Sequence, residues 1–452
     1  MRSDLWASLQ CTTEQAQAFV KLALEPEWEA RFEPNSYGFR AGRSCHDAIE
    51  AIYISINQKP KHVLDADISK CFDRINHEAL LQKLNTFPTI RRQIRAWLQA
   101  GVMDGGQLFP TSEGTPQGGV ISPLLANIAL HGMEERIKQY AETLKGSKRT
   151  NRKSLSLIRY ADDFVILHEE VTVVQRCQSI ISEWLMGMGL ELKPSKTRLT
   201  HTLNKYGVEE PGFNFLGFNI KQRKVGKYHS KQGFKTIITP SVEKQNIHYD
   251  RVASIIKNHK AAPQRVLISR LNPVIIGWSN YYSTVVSKVA YSDLDDLMYQ
   301  KLYRWAKRRH QNKSWGWVSN KYWQTIGGSN WVFATKQEGF NPMRLHKHAE
   351  TSIVRHVKVK GEASPFDGNL VYWSSRMGTH PKATKRVATL LKQQKGKCTH
   401  CGLYFREEDV LEVDHITPKS LGGKDYYDNL QIIHSYCHDV KTAEDGSVTK
   451  YT

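Results

Sequence analysis

The sequence predicts an α+β fold built from several domains, and three observations carry that prediction. Residues 12–240 mix strand-like and helix-like segments, residues 241–330 turn helical, basic and aromatic, and residues 398–442 crowd Cys, His and Asp into a short tail. With 452 residues, the chain has room for two to four domains at roughly 100–200 residues each. Apolar residues make up 40% of it, enough for real cores and against global disorder.

In the first region, Gln15 to Ile52 reads as largely helical, interrupted by the turn Pro34-Asn35-Ser36-Tyr37-Gly38. Val63 to Ile68 reads as a strand and Glu78 to Leu84 as the start of a helix. Residues 154–168 read as two strands meeting at Ala161-Asp162, a β-hairpin. In the second region, Leu294, Met298, Leu302 and Trp305 form an apolar stripe at helical spacing. Residues 331–380 look irregular and linker-like, and Lys382 to Lys395 reads as a short basic helix with Val387, Leu390 and Leu391 on its apolar side. The domain boundaries expected are 1–240, 241–330, 331–395 (a basic, DNA-binding linker region) and 396–452.

Lys and Arg total 64 against 44 Asp and Glu, a formal net charge of +20. Such an excess points to a polyanion, because each neutralised phosphate releases condensed counterions. A membrane partner is not expected. The longest apolar candidate, Gly118 to Leu130, is broken by Pro123 and falls short of the ~18–20 residues that a spanning helix needs. The start, Met1-Arg2-Ser3-Asp4-Leu5, lacks the apolar core of a secretory signal, so a cytoplasmic location is expected. Of seven cysteines, Cys11, Cys45, Cys71 and Cys177 are isolated and expected as reduced thiols, whereas Cys398, Cys401 and Cys437 cluster as metal ligands do.

The hairpin carries the strongest chemical signal. Two adjacent acids, Asp162 and Asp163, sit at its tip between Ile158-Arg159-Tyr160 and Phe164-Val165-Ile166-Leu167. Burying them unpaired would be costly, and a tight turn prefers Asp followed by Gly. Side-by-side carboxylates repel unless a divalent cation lies between them. Upstream, Val63-Leu64-Asp65-Ala66-Asp67-Ile68 alternates, so Asp65 and Asp67 share one face of a strand. Phosphoryl transfer by two metals needs carboxylates from separate strands converging on ions ~3.5–4 Å apart. Asp67, Asp162 and Asp163 suit that need, although residue type alone does not choose Asp67 over Asp65.

These segments resemble the sequence blocks of group II intron reverse transcriptases, in the family's order. Ala66-Asp67-Ile68-Ser69-Lys70-Cys71-Phe72-Asp73 is similar to the first catalytic block and Tyr160-Ala161-Asp162-Asp163 to the second. Gly114-Thr115-Pro116-Gln117-Gly118-Gly119-Val120-Ile121-Ser122-Pro123 resembles the block lining the nucleotide pocket. Leu190 to Leu199, with Lys193-Pro194-Ser195-Lys196-Thr197, and Asn214-Phe215-Leu216-Gly217-Phe218 resemble the blocks that follow. The resemblance implies a reverse-transcriptase palm in which Asp67, Asp162 and Asp163 hold two Mg²⁺. It places Phe72, Gln117, Gly118 and Lys196 around the incoming deoxynucleotide triphosphate, with the Phe72 ring excluding a 2′-hydroxyl.

Residues 241–330 hold 14 Lys and Arg against 5 Asp and Glu, and five of the 11 tryptophans. Basic residues interleaved with aromatics suit RNA, since phosphates take the charges and unstacked bases lie on rings. Trp278 and Trp305 are expected in a helical core, and Lys301, Lys307, Arg308 and Arg309 on phosphate. Through Trp278-Ser279-Asn280-Tyr281-Tyr282 this stretch resembles the family's thumb, or maturase domain, which implies group II intron RNA as partner.

Near the C-terminus, Cys398-Thr399-His400-Cys401 and His434-Ser435-Tyr436-Cys437 are two ligand pairs, the pattern of a structural tetrahedral Zn²⁺. Between and beyond them lie Val413-Asp414-His415-Ile416, Gly422-Gly423, Asp428-Asn429-Leu430 and His438. That order resembles an HNH nuclease, a zinc-stapled ββα module acting on target DNA. The resemblance implies His415 as general base, Asp414 and His438 as ligands of one catalytic divalent ion, and Asn429 as the residue orienting the loop that carries His415.

The resemblance starts near Leu22-Ala23-Leu24-Glu25-Pro26, so only partial fingers are expected. The family's basic grip on the triphosphate and its Arg-Pro-Leu-Gly-Ile-Pro-like stretch have no counterpart here. Electrostatic positioning carries most of phosphoryl transfer. Two readings follow: a polymerase with nuclease and maturase functions, or an RNA-binding maturase or HNH nuclease that no longer polymerises. The sequence gives no indication of oligomeric state.

Overall fold

The computed structural model describes residues 2–104, 107–109, 113–115, 119–336, 342–380, 382–406 and 408–445. Its centre is a four-stranded antiparallel sheet in the order Ser156–Tyr160, Asp163–His168, His62–Asp67, Arg198–His201. Alternation along His62–Asp67 sets its two faces. Leu64 and Ala66 pack with Phe164 and Ile166 on one side, under the helices Ser122–Leu130, Met133–Ala141 and Val171–Met186. Val63 packs with Ile158, Val165 and Leu167 on the other side, under the helix Cys45–Ile56. Asp65 and Asp67 therefore share a face, as the period-2 reading requires. The long helix Arg2–Arg31 precedes this body, and Leu24, Trp28 and Phe32 enter its first core.

A three-stranded antiparallel sheet follows, Phe213–Phe215, Phe218–Lys224 and Phe234–Pro240. It leads into a helical thumb of Val242–Asn258, Gln264–Tyr282, Lys288–Arg309 and Trp315–Tyr322. Ser241 caps the first of these helices by accepting from the Lys244 amide. The stripe Leu294, Met298, Leu302 and Trp305 is buried. Trp278 is only half-buried, stacked on the buried His248 ring at 4.6 Å.

The segment expected to be irregular does lack long helices, but it is firmly packed. The hairpin Trp323–Ile326/Ser329–Phe333 and Leu345 complete the thumb core. Val359 and Trp373 are buried in the palm's second core. Buried Asp47, at the start of Cys45–Ile56, accepts from His356 (3.0 Å), the Val359 amide (2.7 Å) and Arg376 (2.5 Å). Arg376 lies in the helix Leu370–Met377, which ties the palm to the C-terminal module. Lys385–Gln393 is the short basic helix read from the sequence. Its Leu390 and Leu391 enter the core of that module, with Phe405, Leu430, Ile432 and Ile433. The module is a ββα unit: antiparallel strands Leu411–His415 and Leu430–His434, then the helix Ser435–Glu444. Among the described residues no helix is long and apolar enough to cross a membrane.

Candidate active sites of palm, thumb and C-terminal module

The palm site is assembled by strand register. Asp67 stands directly opposite Asp163 across the antiparallel pair, and the Ile68 amide donates to the Asp162 carbonyl at 3.3 Å. The hairpin turns through Ala161, whose φ of 57° is left-handed, a strained choice for a residue with a side chain. A buried scaffold holds it there. Arg159, 1% exposed, donates to the Ala161 carbonyl at 2.9 Å, to Asn127 Oδ1 at 3.0 Å and to Ser36 Oγ at 2.7 Å. Asn127 Nδ2 donates in turn to the Gly38 carbonyl at 2.8 Å. Gly38 is pressed so close that a Cβ there would lie 2.2 Å from the Ala161 nitrogen. Burial lowers the Arg159 guanidinium pKa to about 10, which leaves it charged at neutral pH.

The carboxylates repel one another. Burial, then Asp162 and Asp67, push Asp163 up to about 6. Burial first, then Asp67, raises Asp162. A divalent cation relieves that kind of repulsion, and carboxylate oxygens are the donors that Mg²⁺ takes, so the residue types suit Mg²⁺. Asp65, also raised to about 6 by burial, is opposite Arg198 in the register and 3.7 Å from its guanidinium. Asp67 instead forms an ion pair with Lys196. Geometry thus separates two acids that spacing left equivalent.

Phe72 is half-buried, with the exposed Phe39 ring edge-on at 6.0 Å. The Thr115 amide donates to the Phe72 carbonyl and the Gly114 amide to the Ile75 carbonyl at 2.8 Å. Gly114, at φ 87°, lies where a Cβ would meet the Asp73 carbonyl oxygen at 2.6 Å. The loop that leads to Gln117 and Gly118 is thereby anchored beside Phe72. Gln117 and Gly118 themselves lie outside the described residues.

In the thumb, Lys301 and Arg308 line one cavity between two helices. Lys307 and Arg309 are engaged elsewhere. Lys307 Nζ donates to the Lys313 carbonyl at 3.1 Å, and Arg309 donates to the carbonyls of Lys260 (2.8 Å) and Ala262 (3.0 Å) while stacking over Trp305.

In the C-terminal module, Cys398, Cys401, His434 and Cys437 bring one donor atom each to within 4.8 Å of one another. Cys401 Sγ lies 3.4 Å and Cys437 Sγ 3.9 Å from His434 Nδ1. Ligands ~2.0–2.3 Å from a tetrahedral centre stand about that far apart, so the set fits Zn²⁺. His434 Nε2 donates to Asp409 at 3.2 Å, which fixes Nδ1 as the ligating nitrogen. Among the described residues this is the only group of three or more His, Cys or carboxylate donors close enough to share one ion.

Strand alternation turns Glu412 and Asp414 to one side of Leu411–His415, toward His438 of the following helix. Asp414 lies 3.8 Å from His438 Nε2, so these two residues come together. Glu412 accepts from His438 Nδ1 at 2.9 Å, and Asp414 is held by Gln431 (2.8 Å) and Lys441 (3.3 Å). His415, last in the strand, alternates to the other side and pairs with Asp425 at 3.1 Å. Asn429 clamps the intervening loop: its Oδ1 accepts from the Thr417 amide, and its Nδ2 donates to the carbonyls of Thr417 and Lys424.

Sequence reasoning placed Ser36 and Gly38 in a turn but did not connect them, or Asn127, with the hairpin, and no local signal marks that connection. It also missed Glu412, which shares the period-2 face of Asp414 and was open to the same argument as the palm acids.

Three family profiles match the chain in succession. "Reverse transcriptase (RNA-dependent DNA polymerase)" covers residues 6–220, "Group II intron, maturase-specific domain" residues 246–323, and "HNH endonuclease" residues 398–444. The first match begins at residue 6, ahead of Leu22, so it extends further toward the N-terminus than the blocks quoted above. The group II intron-encoded protein LtrA of Lactococcus lactis is 29% identical over 56% of this chain and 50% of its own. Protein YkfC of Escherichia coli is 29% identical over 49% of this chain and 64% of its own. An uncharacterized 91 kDa protein in the cob intron of Schizosaccharomyces pombe is 27% identical over 60% of this chain and 40% of its own. The chain thus spans between 40% and 64% of the length of these relatives. The chain carries, in this order, a reverse-transcriptase domain, a group II intron maturase-specific domain and an HNH endonuclease domain, and is similar to group II intron-encoded proteins such as LtrA.

Proposed function

We propose that the chain binds group II intron RNA through its thumb, assists its splicing, nicks target DNA with the HNH module, and copies the RNA into DNA in the palm. The observation that carries the polymerase reading is the register of Asp67 against Asp163, with Asp162 beside them on a hairpin braced by buried Arg159. Asp67, Asp162 and Asp163 would hold two Mg²⁺. When bound, such ions supply Lewis-acid stabilisation of the attacking 3′-hydroxyl and of the triphosphate. The chain's own residues fix the geometry around them. Lys196 brings an ammonium to the Asp67 carboxylate, where it can pass to a phosphate of the deoxynucleotide triphosphate. Phe72 stands beside the sugar and excludes a 2′-hydroxyl. Gln117 and Gly118 complete the set of residues around the incoming nucleotide.

In the nuclease, Asp414 and His438 would hold one divalent ion. His415 takes the proton from the attacking water, with Asp425 orienting its ring and Asn429 fixing the adjacent loop. The zinc set, Cys398, Cys401, His434 and Cys437, staples this small fold.

Primer extension on an RNA template tests the polymerase reading. The unmutated chain extends and Asp162→Ala does not; no extension by the unmutated chain sinks it. A second reading, a maturase and nuclease without polymerisation, draws on the Lys196 ion pair, which occupies Asp67. It requires RNA binding and nicking to persist while extension is absent. Nicking unchanged in His415→Ala would remove His415 as the base.

A further inference from the structure

The thumb helices Val242–Asn258 and Lys288–Arg309 flank an open cavity of about 550 Å³. That lies within the roughly 300–1,000 Å³ that holds small molecules. Each helix lines it with one face at helical spacing, Asp250, Ser254 and Lys257 from the first and Lys301, Trp305 and Arg308 from the second. Buried Ile256 and Trp305 give it an apolar floor.

The charges are unevenly placed. Lys257, Lys260, Arg304 and Arg308 crowd toward the C-terminal ends of the two helices, while Asp250 and Lys301 lie at the other end. Among the described residues none of those four cations is in an ion pair. A polyanion would relieve their mutual repulsion. The concave shape narrows the choice of polyanion. A double helix tracks along a surface and cannot enter a hollow of this size, whereas one unstacked nucleotide can.

We infer that this cavity takes a single unstacked nucleotide of RNA, its base against Ile256 and Trp305 and its phosphates on Lys257, Lys260, Arg304 and Arg308. The inference rests on the reading of the thumb as an RNA clamp, and adds where and in what form the RNA is held. It selects single-stranded or bulged segments over continuous duplex.

The test is fluorescence anisotropy on the full chain at fixed salt. The probes are a single-stranded RNA heptamer and a blunt RNA duplex of equal length. Ser254→Trp fills the cavity without removing a charge. Single-strand affinity is expected to fall about ten-fold and duplex affinity to stay within about two-fold. Ser254→Met, a smaller filler, should show the same selectivity to a lesser degree, with an unchanged melting temperature. Arg304→Ala with Arg308→Ala should weaken both probes and flatten their salt dependence.

Equal losses for the two probes, or no loss for either, in both filling variants would overturn the inference and leave the clamp standing. A single-stranded DNA heptamer that binds more tightly than the RNA and shares its ten-fold loss would overturn the assignment to RNA. No binding of either RNA by the unmutated chain would overturn the clamp as well.

Discussion

Gly38 is the most exacting point in the palm, although it lies far in sequence from the acids it supports. A Cβ at this position would sit 2.2 Å from the Ala161 nitrogen and 2.9 Å from its Cα, where ordinary contact begins at 3.4 Å. Gly38→Ala must therefore move the hairpin tip, or the segment beneath it, by about 1.2 Å, the gap between 3.4 and 2.2 Å. Both obstacles are backbone atoms, so no side chain can swing aside. The tip is also tied from below by Arg159 and Asn127, and a shift would strain those bonds. Overpacking of this kind costs typically 1–3 kcal/mol of stability. A displacement of ~1 Å at a reacting centre can cost on the order of 10²-fold in rate. Single-nucleotide incorporation on an RNA template should thus fall about 10²-fold in Gly38→Ala, while nicking of DNA and binding of RNA stay near their unmutated values. Incorporation within two-fold of the unmutated rate would refute the reasoning that Gly38 sets the position of Asp162 and Asp163.

Four further outcomes follow from the same geometry. Cys398→Ser, or zinc chelation, should unfold the C-terminal module and abolish nicking while extension survives; a nicking activity that persists would remove the structural role of the quartet. Glu412→Ala should weaken divalent-ion binding by ~10-fold or more in calorimetry, because Glu412 orients His438; equal affinity would make that contact incidental. Phe72→Val should raise ribonucleotide incorporation relative to deoxynucleotide, and an unchanged ratio would place the ring away from the sugar. The fourth concerns His248, buried against Trp278, whose pKa is pushed down to about 3 by burial first and by His348 second. Its neutral form is the folded one, so its contribution is complete above the unfolded value near 6.5 and is lost as pH falls toward 3. Stability should decline by up to about 1.4 kcal/mol per pH unit from this group below pH 6. Thermal melts at pH 7 and 5 should show that decline, and His248→Gln should flatten it; an identical slope in the variant would exclude His248 as its source.

Much of the palm was legible because its signal is local. Strand alternation placed Asp65 and Asp67 on one face, and the paired acids marked the hairpin tip. What separates Asp67 from Asp65 is a cross-strand partner, Arg198, set by a register that spacing does not reveal. The scaffold under the hairpin was not legible either. Ser36 and Arg159 are 123 residues apart and Gly38 and Asn127 are 89 apart, so their contacts leave no periodic trace. The segment after the thumb looked like a linker because it is not periodic, yet Trp373 is fully buried against Gly42 and Asp47 gathers three donors from it. In the C-terminal module the zinc quartet was readable from spacing. The pairing of His415 with Asp425 was not, since it depends on how the loop after the strand folds back.

The most direct measurement is single-nucleotide incorporation from a DNA primer on an RNA template, comparing the unmutated chain with Asp67→Asn, beside RNA binding by both. Incorporation by the unmutated chain, reduced by on the order of 10²-fold or more in Asp67→Asn with RNA binding retained, is the result expected of a working palm. Equal rates in the two proteins, or none in the unmutated one, would contradict it.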